Sequence, residues 1–209
     1  MTIEQYLRDP CRNLSIPYWK HTRISLPKNW KIVHDSDYVE SLYSDYTDTR
    51  YFRLIHDFHD LRPVPSERFE IRTADPSDIP LFADLINRSY PDLTVTEEQV
   101  RSFSEHPTYD HDLWILVSDP SANMIIGCGI AEFDREIGEG ALEWIQVLPS
   151  YRKQGVGSLI VRELLLRLKK KAQFVTVSGK LDSASHPESL YRKCGFRGTD
   201  IWHILQHRC

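Results

Sequence analysis

The stretch from Val147 to Leu168 restricts this chain more than any other. Val147-Leu148-Pro149 ends a strand-like run, Gly155-Val156-Gly157 opens a helical one, and the basic pair Arg152-Lys153 lies between them. In the helical part Val156, Ile160, Leu164 and Leu168 recur at i, i+4 spacing, with Val161 and Leu165 beside them and Arg162, Glu163 and Arg167 on the other side. Lys169-Lys170-Lys171 then complement the negative end of the helix dipole. A strand–loop–helix joint of this kind aims unpaired backbone N–H groups at one point beside the positive end of that dipole. Glycines allow a ligand close to the backbone because no Cβ intervenes. The joint therefore suits a pyrophosphate, although a lone Gly-x-Gly also marks tight surface turns. Two nucleotide signatures fail. Ser158 follows Gly157 where a Walker loop needs Lys, and Ile160 stands where a Rossmann fingerprint needs its third glycine.

The segments around the joint set the fold class. Phe69-Glu70-Ile71-Arg72 alternates as a short strand does, and Asp75 or Ser77 can cap a helix carrying Ile79, Leu81, Phe82, Leu85 and Ile86. Tyr90-Pro91-Asp92 stops that helix, and Thr96 with Gln99 forms a capping box for a second one through Val100 and Phe103. Leu113–Val117 is continuously apolar and predicts a strand buried on both faces. The run Met124–Ala131 returns after the turn residues 119–123, and Leu142–Val147 follows Gly138-Glu139-Gly140. After the long helix come the strand Phe174–Val177, a short helix ending at Cys194-Gly195, and a last strand Ile201–Leu205. The order from residue 67 is β-α-α-β-β-β-α-β-α-β, which predicts an α/β sheet, part antiparallel and part parallel, with helices on its faces.

Two motifs in this frame resemble those of the GNAT superfamily of N-acetyltransferases. Residues 147–157 resemble the acetyl-CoA-binding motif [Gln/Arg]-x-x-Gly-x-[Gly/Ala] after a strand ending in Val-x-Pro. Leu190-Tyr191-Arg192-Lys193-Cys194-Gly195-Phe196 is similar to the family's Leu-Tyr-x-x-x-Gly-Phe. The resemblance implies a GNAT-type mixed, mostly antiparallel twisted sheet flanked by helices on both faces over residues 67–209, with residues 1–66 as an N-terminal extension packing on the core. It implies acetyl-CoA as co-substrate and no metal. The pantetheine arm would lie in a gap opened by a bulge, on the backbone of Trp144 to Val147, with Gln146 and Val147 among its contacts. The pyrophosphate would lie on the N–H groups from Lys153 through Gln154, Gly155, Val156 and Gly157 to Ser158, with Arg152 and Lys153 adding charge.

Direct attack of an amine on the thioester is the implied chemistry. Tyr191 matches the family tyrosine that protonates the departing thiolate, and a phenol of pKa about 10 carries its proton at neutral pH. The alternative for Tyr191 is an aromatic packed in the core. Glu143 is the leading general base, directly or through a water, because its strand would flank the thioester; an exposed strand carboxylate is the alternative. Glu139 is a weaker choice. His186-Pro187 replaces the asparagine, often Asn-Pro, that many relatives carry before the last helix. The acceptor is expected to be a primary amine of a small molecule or peptide, selected around Ser89 to Thr94. A non-catalytic acyl-CoA-binding module would keep the loop without needing Tyr191. Dimers are common among similar proteins, so a homodimer is compatible with this reading.

Composition excludes other classes. A net charge of −4, with basic residues scattered among acidic ones, lacks the footprint of a nucleic-acid binder. The longest apolar runs are too short to span a bilayer, and residues 1–10 lack a signal-peptide core, so the expected location is the cytoplasm. Four dispersed cysteines, Cys11, Cys128, Cys194 and Cys209, fit a reducing compartment. His56 and His59 have no further ligand pattern nearby, and His203 and His207 in a strand would stand about 13 Å apart. The connector Leu61–Ser66, with Pro63 and Pro65, marks a boundary. Ahead of it an aromatic-rich segment, with Tyr18, Trp19, Trp30 and Tyr38, is expected to fold.

Overall fold

The computed structural model describes residues 2–13, 26–63, 66–90, 93–183 and 185–208. Tyr18 and Trp19, Val64-Pro65 of the connector, Pro91-Asp92 of the helix stop, and Cys209 lie outside the described residues. The chain is α/β with an eight-stranded, mostly antiparallel sheet and flanking helices. The strands are β1 Trp30–His34, β2 Tyr46–His56, β3 Glu70–Thr73, β4 Trp114–Asp119, β5 Met124–Asp134, β6 Glu139–Val147, β7 Phe174–Lys180 and β8 Arg197–His207. The helices are α1 Ile3–Arg8, α2 Ile79–Ser89, α3 Glu97–Ser104, α4 Val156–Leu168 and α5 Pro187–Lys193. From residue 67 onward the element order is the one that periodicity predicts. Among the described residues no helix is long and apolar enough to cross a membrane.

Two compact units divide the chain, residues 1–57 with 176–209, and residues 58–175. In the first, β8 pairs antiparallel with β1 on one side and β2 on the other. The N-terminal segment thus contributes two strands, and their partner is the last strand of the chain. Buried Phe52, Leu54, Trp202 and Leu205 make its apolar interior. His203 is no metal ligand: its ring bonds Asp48 through Nδ1 at 2.8 Å and Asp35 through Nε2 at 3.1 Å, with Tyr38 stacked on it at 3.8 Å. His56 ends a strand and is buried, so the helical arrangement with His59 does not occur. No metal-ligand cluster exists among the described residues.

The second unit is the array β3-β4-β5-β6, antiparallel throughout. β4 is buried along Trp114–Val117, as its unbroken apolar run predicts. On one face α2, α3 and the segment between them cover Trp114, Leu116, Cys128 and Ile130 with Phe82, Ile86, Val95 and Val100. Burial of such side chains contributes roughly 1.5–3 kcal/mol each. Leu81, expected on the same helical face, is 37% exposed, because it lies on the opposite side of the helix from Ile79, Phe82 and Ile86. Asp75 caps a short 3-10 turn, Pro76–Asp78, ahead of α2, and Asp78 receives a two-pronged bond from Arg72 at 2.6 and 2.7 Å. The capping box at α3 forms as predicted, with Thr96 and Gln99 exchanging bonds of 3.2 and 2.8 Å.

α4 packs against the other face. A Cβ on Gly129 would come within 2.5 Å of Ile160 and 3.0 Å of Leu164, so glycine there lets the helix lie against β5. That contact fixes where the N-terminal end of α4 points.

Candidate coenzyme A site

β6 carries an irregularity that the sequence did not locate. Ile130 faces Trp144 and the next pair is Ala131 with Leu142, which leaves Glu143 as an extra residue in a β-bulge. Glu143 is exposed in the middle of a strand whose preceding residues, Glu139 to Leu142, are buried. A bulge bends its strand and re-aims side chains, so Glu143 is lifted out of the regular alternation. Beyond it Gln146 faces Cys128 and Val147 faces Gly127. The strand ends where Leu148 N–H bonds Ile126 O at 2.9 Å.

A 3-10 turn at Pro149–Tyr151 follows, closed by Tyr151 N–H on Leu148 O at 2.8 Å and Arg152 N–H on Pro149 O at 3.3 Å. The backbone then turns left-handed twice, at Lys153 (φ 61°) and Gly155 (φ 87°). Gly155 stands at the N-cap of α4 and offers no side-chain cap; the first helical bond runs from Leu159 N–H to Gly155 O at 3.0 Å. The N–H groups of Val156, Gly157 and Ser158 precede that bond and have no partner inside the helix. A Cβ built on Gly155 would meet nothing within 4 Å. Glycine is required there by conformation rather than by crowding, and the space before it is open to a ligand.

Two side-chain braces hold the loop. Arg152 donates to Val147 O at 3.2 Å and to Ser89 O, at the end of α2, at 2.7 Å. Its guanidinium is therefore engaged by two carbonyls, whereas the sequence suggested only charge for a ligand. Gln154 donates to Ser150 O at 2.9 Å and accepts from Arg68 at 2.9 Å. Arg68 also reaches Asp119 at 3.5 Å. Bonds from Ser121 hold the Asp119 carboxyl below the usual range, while burial and Asp119 raise the Tyr151 phenol. Lys153 remains exposed. The loop thus presents oriented N–H donors, one exposed ammonium and no acidic residue in the first turn of α4. That combination suits an anion.

Tyr191 lies on α5 in the other unit and is buried, its ring 5.7 Å from Phe196 and 6.0 Å from Phe52. Its carbonyl accepts from Cys194 and Phe196 N–H at 2.9 and 3.1 Å, which closes the helix at the Gly-Phe of the motif. His186 is the left-handed N-cap of α5 (φ 46°) and makes no side-chain cap bond. It does not reproduce the hydrogen bonds of an asparagine cap. Glu139 is buried at 1% exposure. Sequence reasoning placed Ser89 in the acceptor-selecting segment but missed its bond to Arg152, and it missed Arg68 altogether; both contacts with the loop arise only in the folded chain.

Residues 109–198 match the family model of the acetyltransferase (GNAT) domain. Over that stretch, which is under half of the chain, the sequence is similar to GNAT acetyltransferases. A curated relative, an uncharacterized N-acetyltransferase of Bacillus subtilis strain 168 named CgeE, is 28% identical over 109 residues, 49% of this chain and 40% of that protein. The match thus spans well under half of that relative's length. Solved structures share the fold. A GCN5-related N-acetyltransferase from Sphaerobacter thermophilus is 16% identical with a TM-score of 0.69, over 91% of this chain and 64% of that one. The ribosomal-protein-S18-alanine N-acetyltransferase from Escherichia coli is 18% identical with a TM-score of 0.53, over 66% of this chain and 91% of that one.

Proposed function

We propose that the chain is an acetyl-CoA-dependent N-acetyltransferase acting on a primary amine of a small molecule or peptide. The observation that carries this reading is the N-terminal end of α4, where left-handed Gly155 precedes three N–H groups that have no partner inside the helix and no acidic residue stands in the first turn. In this reading Lys153 to Ser158 bind the diphosphate, and the strand residues after the bulge, Trp144 to Val147, offer their backbone to the pantetheine arm.

Acetyl-CoA supplies the thioester whose carbonyl carbon the amine attacks. A lysine-like ammonium has pKa about 10.4 and must first lose a proton. Glu143, exposed at the bulge, takes it directly or through a water. Glu143 passes that proton to solvent; Tyr191 gives its phenolic proton to the sulfur as the C–S bond breaks, and the second proton shed by the acylated nitrogen returns to Tyr191 through solvent. The dispersed, buried cysteines Cys11, Cys128 and Cys194 fit a reducing, cytoplasmic location.

Thiol release from acetyl-CoA across an amine panel, alongside calorimetry with coenzyme A, tests the proposal. Binding with turnover of at least one amine is expected. Binding without turnover across a broad panel would leave only an acyl-CoA-binding module, and no binding removes both.

A further inference from the structure

Two buried polar side chains in the second unit have no hydrogen-bond partner among the described residues. Ser89 is 3% exposed, and its Oγ is wholly buried and unbonded. Gln146 is likewise 3% exposed, and its amide bonds no described residue. Folding removes such groups from water at a cost, so natural chains rarely leave them unmatched.

The two belong to one place. The Arg152 guanidinium bonds the carbonyls of both Ser89 and Val147, so the end of α2 and the end of β6 flank the same side chain. Gln146 stands directly across from Cys128, and opposed residues of an antiparallel pair share a face. Cys128 packs with Phe82 and Ile86 of α2, so Gln146 lies on the face that α2 covers. Trp144, two residues earlier, is on this face too and stacks on Phe103 at 6.0 Å. Tyr90 and Leu93, each 37% exposed, follow Ser89 in the chain. The Gln146 amide is not among the wholly buried unbonded groups, so the little solvent access this residue keeps reaches its amide.

We infer that Ser89 Oγ and the Gln146 amide form the polar half of the acceptor site, and that it takes an amine bearing a neutral hydroxyl or carboxamide group. This inference rests on the acyl-transfer reading. A hydroxyl and a carboxamide both donate and accept, and a ligand group able to do both answers each. Nearby Cys128 is held protonated by burial and brings no charge. A second ammonium entering there would lose its hydration beside the Arg152 guanidinium, which already donates to the carbonyls of Ser89 and Val147. The aromatic pair Phe103 and Trp144 offers apolar area to the carbon skeleton.

Matched amines test the inference. Ethanolamine and n-propylamine have the same heavy-atom count, as do glycinamide and isobutylamine. Wild type should prefer the polar member of a pair by about tenfold or more in kcat/KM, since sites built to hydrogen-bond a substrate reject the analogue that lacks the group. S89A and Q146M should each bring the ratio to about threefold or less, with the loss in KM for the amine. A wild-type ratio near one, or a ratio preserved in both variants, overturns the inference. Independently of turnover or of variant folding, the side-chain amide resonance of Gln146 in wild type should shift with glycinamide and not with isobutylamine. A silent amide with coenzyme A bound refutes the acceptor assignment alone. Failure of coenzyme A to bind wild type refutes the acyl-transfer reading instead, and the amide titration of the free protein still decides this one.

Discussion

α4 and α5 both begin behind a left-handed residue, Gly155 at φ 87° and His186 at φ 46°, and neither has a side-chain cap. They differ in everything else that an anion would feel. α4 has 13 residues, a first-turn N–H at Val156 and no acidic residue in that turn. α5 has seven residues, starts on Pro187, which has no N–H to offer, and carries Glu188 in its first turn. Backbone handedness is common to both starts and does not by itself single out α4. The supply of free donors, the length of the helix behind them and the absence of a carboxylate separate the two. In the proposed reaction α4 works through its end, whereas α5 works through a side chain, Tyr191.

The comparison breaks most visibly at Gly155. Gly155→Glu imposes left-handed strain of about 1–3 kcal/mol and sets a carboxylate before the N–H donors. Coenzyme A affinity should fall by about 100-fold or more, while the circular dichroism spectrum is kept because the added Cβ meets open space. Retained affinity in calorimetry would mean that the two helix starts are equivalent after all. On α5, Tyr191→Phe keeps the ring and removes the acid, so kcat should drop by about 100-fold with coenzyme A affinity little changed. A loss confined to binding would reverse the division of labour.

A smaller effect is expected at the brace. Arg152→Met should weaken coenzyme A binding by about tenfold by freeing the loop from Val147 and Ser89. Arg152→Lys should rescue little, since an ammonium cannot reproduce the fork; full rescue would show that charge alone mattered. His186→Asn should raise the melting temperature by ~1–3 °C, because asparagine tolerates left-handed backbone and caps well. It should leave coenzyme A affinity alone, and a change there would contradict the contrast drawn between the helices.

The ion pair at the entry to α2 provides the smallest test. Arg72 holds the Asp78 carboxyl below its ordinary value at the entry to α2. A lowered folded-state pKa gives stability that is present above the unfolded value, about 3.9, and lost as pH falls through the folded one. Urea midpoints of wild type and Asp78→Asn should therefore differ at pH 6, and the difference should shrink as pH falls through the lowered folded-state value. A constant difference would remove the ion pair from the account.

Legibility followed the range of the forces involved. The order of elements after residue 67 was written in local periodicity, and the cap at Thr96 in a four-residue motif. β2 was not: Thr47-Asp48-Thr49-Arg50 has no apolar alternation, and the strand exists because β8 pairs with it from the far end of the chain. The loop 152–158 was readable through its glycines and its basic pair. The engagement of Arg152 with Ser89 was not, because the two are 63 residues apart. Glu143 was visible as a carboxylate, but the bulge that exposes it is a matter of register between two strands. Unmatched burial at Ser89 and Gln146 has no sequence signature at all.

The most direct test follows the backbone amide resonances of Gly155, Val156, Gly157 and Ser158 during parallel titrations with coenzyme A and with pantetheine, which lacks the diphosphate. Large shifts in these four with coenzyme A, and almost none with pantetheine, are the predicted result. Equal shifts with both, or none with either, would contradict a diphosphate held by the start of this helix.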